Sequence, residues 1–80
     1  MAAELFHEIA DPDSAAARRA VVDLDLKDRV DFRNLHYPEA RADFAARGGT
    51  HVPALWDGAT LHQGLAAVTA QLKRMKERGA

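Results

Sequence analysis

Thr50-His51-Val52-Pro53-Ala54-Leu55-Trp56-Asp57-Gly58-Ala59-Thr60-Leu61-His62 is the stretch on which the fold turns. Two runs of strand-forming residues, Val52 to Trp56 and Ala59 to His62, flank Asp57-Gly58, a dipeptide whose positive φ values suit a two-residue type I′ hairpin. This predicts an antiparallel pair. Immediately after it, from Gly64, Leu65, Val68, Leu72 and Met75 recur at i, i+3, i+7 and i+10, which is one face of a helix. Lys73, Arg74, Lys76 and Arg78 put positive charge at the negative end of that helix's dipole, a solvated face in the plainest reading, and Gly79 closes it.

Upstream of the hairpin, Gly48-Gly49 ends a short helix that starts at Pro38, carries Glu39 in its first turn and pairs Ala40 with Phe44 at i, i+4. Before it, Val30, Phe32 and Asn34 alternate with Asp31, Arg33 and Leu35, a strand with one side more exposed and so an edge strand. A first helix runs from Asp13 or Ser14, either of which can serve as N-cap, with Ala17, Val21 and Leu24 on its apolar face. Leu5 to Ile9 reads as the first strand, stopped by Ala10-Asp11-Pro12. The order strand, helix, strand, helix, hairpin, helix defines an α/β chain. A right-handed crossover makes the first two strands parallel, and the hairpin adds the antiparallel pair, giving a four-stranded mixed sheet with three helices.

The chain of 80 residues is expected to form one domain, residues 1–80. Seventeen alanines leave 21 larger apolar side chains to build its core. Chains of this size bury only roughly 60 % of their unfolded surface and are marginally stable. Zero cysteines exclude a disulfide framework, thiolate metal sites, cysteine nucleophiles and any dithiol cycle carried by this chain alone. A formal charge of −1 argues against sequence-independent nucleic-acid binding, which needs several Lys and Arg on phosphates. No apolar run nears the roughly 20 residues of a membrane span, and the start lacks a basic-then-apolar leader, so neither membrane nor nucleic acid is an expected partner and the expected location is cytoplasmic.

Three segments, taken with the element order, carry a family likeness: Pro12-Asp13-Ser14-Ala15-Ala16-Ala17-Arg18-Arg19 opening the first helix, Gly48-Gly49-Thr50-His51-Val52-Pro53-Ala54-Leu55 before the hairpin, and Asp57-Gly58 followed by Gln63-Gly64 opening the last helix. In these the chain resembles the glutaredoxin branch of the thioredoxin superfamily and, equally, the N-terminal domain of glutathione transferases. The resemblance implies a thioredoxin-like, glutaredoxin-type fold in the order β-α-β-α-β-β-α. It places Ser14 and Ala17 at the C-x-x-C positions, where neither residue supports thiol–disulfide exchange, so no catalytic residue is assigned. Serine at the first position is used by some glutathione transferases to hydrogen-bond the glutathione thiolate, a role that would fall on Ser14.

The resemblance further implies a cis Val52–Pro53 bond beside His51, with the Val52 N–H and C=O turned outward to pair with glutathione or another extended thiol peptide. Gln63 and Gly64 would match the pair whose helix N-terminus receives the γ-glutamyl carboxylate. Gly64 departs from the transferase pattern in having no hydroxyl, and the helical second domain of a transferase is not in this sequence. The implied function is a redox-inactive, glutathione-binding domain. Two alternatives stand beside it: a protein–protein interaction module using either the former active-site end or the edge strand Val30 to Leu35, and a serine-type transferase-like enzyme.

Plainer readings accompany each candidate. Ser14 caps a helix; Trp56 belongs to the core or covers the sheet; His7 and Glu8, polar in a central strand, lie at its exposed start or are hydrogen-bonded. His51 with Ser14 and Asp11 or Asp13 would make a hydrolytic triad only if geometry brought them together. His7, His36, His51 and His62 show no metal-ligand spacing, so no metal is expected.

Overall fold

A computed structural model describes residues 2–79. β1 (Ala3–His7), α1 (Pro12–Asp23), β2 (Val30–Asn34), α2 (Pro38–Ala46), β3 (Ala54–Trp56), β4 (Leu61–Gln63) and α3 (Leu65–Arg78) follow in the expected order, with a 3-10 turn at Lys27–Arg29. The sheet is four-stranded and mixed, ordered β2-β1-β3-β4. β1 and β2 are parallel, β1 and β3 antiparallel, and β3 and β4 close the hairpin. β2 is therefore an edge, as its alternation predicts.

The two faces of the sheet are covered differently. Ala3 and Leu5 point to the side of α1 and α3, where Ala17, Val21, Leu26, Val30, Leu55, Val68 and Leu72 complete an apolar cluster. Phe6 points to the other side, against Leu35, Ala40 and Ala54, with Phe44, Val52, Trp56 and Leu61 packed around them. The stripe read on α3 is the one that docks: Val68 and Leu72 are buried, and Leu65 and Met75 pack beside them.

Three sequence expectations are corrected. β1 begins at Ala3 and ends at His7, where Leu5 to Ile9 was expected. Glu8 leaves the ladder because its N–H donates to Ser14 Oγ and its C=O accepts from Asp11 N–H, which strands Ile9 in solvent at 64 % exposure. The α1 N-cap is Asp11, not Asp13 or Ser14: its Oδ2 accepts from the Ser14 N–H at 2.8 Å, and Pro12 occupies the first turn, where a missing N–H costs nothing. The hairpin does not turn on Asp57-Gly58. Trp56 pairs with Leu61, and the turn centres on Gly58-Ala59, Gly58 having φ +103°. Asp57 Oδ1 accepts from the Ala59 and Thr60 N–H groups, so the side chain supplies the acceptor that the dipeptide reading gave to the backbone.

Candidate functional site

The register brings the expected site residues to one end of the sheet. β1 finishes at His7 where β3 begins, because Phe6 pairs with Ala54; Ala54 in turn pairs with Gln63 at the end of β4. The loop Gly48–Pro53, the β1–α1 connection and the start of α3 thus meet at this end. The Val52–Pro53 peptide bond is cis, and Pro53 is fully buried.

Gln63 is the organiser of this loop. Its Oε1 accepts from the Thr50 N–H at 2.8 Å and the His51 N–H at 2.9 Å, with the Thr50 hydroxyl at 3.3 Å, while Nε2 donates to the Gly48 C=O at 3.5 Å. Pro53 C=O accepts from the Gly64 N–H at 2.8 Å, tying the same loop to the start of α3. Gly64 itself sits at φ +91°, a conformation that side chains other than glycine's adopt only with strain. It caps α3 without a side-chain acceptor, so the first-turn N–H groups of that helix face outward unpartnered by any cap.

Between these two anchors lies Val52. Among the described residues, neither its N–H nor its C=O takes a hydrogen-bond partner, although the residue is half-buried against the Phe6 cluster. An unpaired backbone donor and acceptor on one residue at the start of a strand is what a strand edge offers to another chain.

Ser14 is fully buried, and its hydroxyl is occupied as an acceptor for the Glu8 N–H at 3.2 Å. Ala17 lies deeper, inside the apolar cluster under α1. His51 is exposed, its Nδ1 paired with the Thr50 hydroxyl at 2.8 Å. Ser14 and His51 do not hydrogen-bond to one another, and Asp11 is spent on the helix cap, so no nucleophile–base–orienter chain forms.

The other histidines are likewise engaged locally. His7 Nδ1 accepts from Arg18 at 2.9 Å, His36 packs edge-on to Tyr37, and His62 Nε2 meets Asp57 Oδ2 at 2.8 Å. The His62 bond, helped by the Thr60 and Ala59 N–H groups, lowers the Asp57 carboxyl to about 2. Among the described residues no group of three or more His, Asp or Glu side chains could hold a metal ion, and no helix is long and apolar enough to cross a membrane.

Two features of this end escaped the sequence reading. Thr50 is part of the Gln63 network, and its only sequence signal is its place after Gly48-Gly49, where the chain must be re-anchored. The second is a cavity of about 510 Å³ past the ends of β1 and β2, lined by Glu8, Ile9, Ala10, Asn34, His36 and Arg41. The chain matches no family model, no curated protein and no solved structure.

Proposed function

We propose that this chain is a glutaredoxin-like, redox-inactive binding domain that holds an extended thiol peptide, glutathione being the smallest candidate, along the backbone of Val52. The observation that carries the reading is the free N–H and C=O of Val52, held in place by the Gln63 network on one side and the Pro53–Gly64 bond on the other. A peptide ligand pairs with that residue as one more strand. Its carboxylate meets the uncapped N–H groups at the start of α3, where the helix dipole favours negative charge.

In this reading Gln63 positions the loop rather than touching the ligand, and Ser14 holds the β1–α1 connection beneath it. A transferase-like enzyme draws no support from a serine that is buried and already hydrogen-bonded. With no cysteine in the chain, any thiol chemistry would belong to the ligand.

An amide chemical-shift titration with reduced glutathione, repeated with S-methylglutathione, tests the proposal. Saturable shifts centred on His51, Val52, Leu65 and Ala66 are expected with both, since the binding uses the peptide backbone. Gln63→Ala should weaken them by about tenfold through loss of the loop anchor, a difference of about 1.4 kcal/mol. Absence of shifts at millimolar glutathione would overturn the glutathione reading.

A further inference from the structure

β2 carries an outer edge that pairs with no other strand among the described residues. Its backbone orientation follows from one bond: the Leu35 N–H donates to the His7 C=O on β1 at 3.0 Å. Because both backbone groups of alternate strand residues point to the same side, Asp31, Arg33 and Leu35 address β1, and Val30 and Phe32 turn their N–H and C=O groups outward; Asn34 is turned the same way, but its C=O already accepts from the Tyr37 N–H at 3.1 Å. The edge has no proline, no lysine and no bulge to blunt it. At its centre Phe32 is 41 % exposed, on the α1 side of the sheet, where its ring stands edge-on to His7. Val22, one helical turn beyond the Arg18 that holds His7, is 52 % exposed.

The charges of this edge are complementary to themselves. Arg33 bonds Glu4 and Asp43, whereas Asp31 has no cationic partner among the described residues, although it stands directly opposite Glu4 in the β1–β2 register. Antiparallel pairing of the segment with a second copy, centred on Phe32, sets Phe32 against Phe32 as a hydrogen-bonded pair and Val30 against Asn34, whose N–H donates to the Val30 C=O while its own C=O stays with the Tyr37 N–H. Asp31 then faces Arg33 of the second copy, and Arg33 faces its Asp31. Both are non-hydrogen-bonded pairs, in which side chains approach most closely, and the two-fold axis repeats the contact.

We propose that two copies of this chain associate through β2, joining their sheets into one continuous sheet with Asp31–Arg33 pairs on one face and stacked Phe32 rings on the other. The interface is isologous, so it closes as a dimer and does not propagate. A contact built on one five-residue strand belongs with small interfaces, below about 1,200 Å², so the association is weak and visible at high protein concentration. It leaves the Val52 end of the sheet free, and its test is independent of glutathione.

Sedimentation equilibrium from about 10 μM to about 1 mM measures it. The mean mass of the wild type should rise from 8.8 kDa toward twice that value. Asp31→Arg, at an exposed residue with no partner to lose, sets like charges against Arg33 on both sides of the axis and should weaken association by about tenfold or more. Mixing the Asp31→Arg chain with an Arg33→Asp chain should restore it, because each then offers what the other lacks. Where Arg33→Asp fails to fold, hydrogen exchange of the wild type supplies the second reading: the Phe32 amide should exchange more slowly as concentration rises. A wild type that stays monomeric throughout, or an Asp31→Arg chain that associates equally well, would overturn the proposal. So would association without added protection at Phe32, which would point to another surface, and binding only to an unrelated extended peptide would show the edge to be a hetero-partner site.

Discussion

The two faces of the sheet solve the same problem with different chemistry. Under α1 and α3 the cluster from Ala3 to Leu72 is apolar throughout, and seven of its members lie at no more than 1 % exposure. Under α2 the apolar patch is small, and charged side chains finish it. Glu4, pointing to this face, accepts from Arg33 and, at 2.8 Å, from Arg47. Arg33 also bonds Asp43 at 2.7 Å, which holds the Asp43 carboxyl below its ordinary range and the guanidinium firmly charged. The two guanidinium groups lie over aromatic rings, Arg33 over Phe6 at 5.4 Å and Arg47 over Trp56 at 4.8 Å. Long cationic side chains thus cover apolar surface with their stems and guanidinium planes while their N–H groups find carboxylates. A short helix with few large apolar residues suffices on that side because the arginines from β2 and the end of α2 do the covering.

This contrast predicts unequal costs. Leu55→Ala, in the middle of β3 and fully buried on the dry face, should destabilise by about 2–5 kcal/mol, through lost transfer energy and the cavity left behind. Each kcal/mol corresponds to about 4–8 °C in Tm for a domain of this size, so thermal unfolding followed by circular dichroism reads it directly. Glu4→Gln, on the charged face, should cost less, about 1–2 kcal/mol. The side chain is 15 % exposed and the arginines it pairs with can still reach water. Its loss should shrink with added salt, whereas that of Leu55→Ala should not. Equal losses, or a salt-independent one at Glu4, would show the α2 face to be held by packing after all.

The same contrast explains what could be read from the sequence. The dry face is written in periodicity: Leu65, Val68, Leu72 and Met75 on α3, and Ala17 and Val21 on α1, announce both the helix and the side it buries. The charged face has no such signature, because a pairing of Glu4 with Arg33 and Arg47 joins three elements far apart in sequence and each residue alone looks like a solvated charge. The candidate site is legible in part. Val52, Pro53, Gln63 and Gly64 meet as expected, but the partners of Gln63 are the Thr50 and His51 N–H groups, which no spacing rule identifies. Gly49 shows why Gly48-Gly49 does more than end a helix. A Cβ there would stand 2.4 Å from the Phe44 ring, so the second glycine is what lets Phe44 close over the loop toward Phe6. The hairpin turn was misplaced by one residue because a side-chain acceptor, Asp57, can substitute for a backbone one.

His7 sharpens the comparison, since it is the one histidine whose ring is buried on the otherwise dry side of the sheet. Its Nδ1 accepts from Arg18, so the neutral ring carries its proton on Nε2, and the Phe32 ring closes the remaining side. Burial first, and the Arg18 charge second, push its pKa below the ordinary 6.5. A histidine that titrates lower in the folded chain than in the unfolded one binds fewer protons when folded. Its contribution is therefore present above pH 6.5 and is lost as pH falls from 6.5 toward the folded value. Chemical denaturation at a series of pH values should show stability declining through that window, with the decline reduced in Arg18→Met, which removes the charge, and abolished in His7→Gln. The effect should be the smallest of the three, because one ring at the margin of the sheet is at stake and not a core position. A decline that persists unchanged in His7→Gln would show that another group carries it, and His7 would then be a packed polar residue whose charge state the fold does not sense.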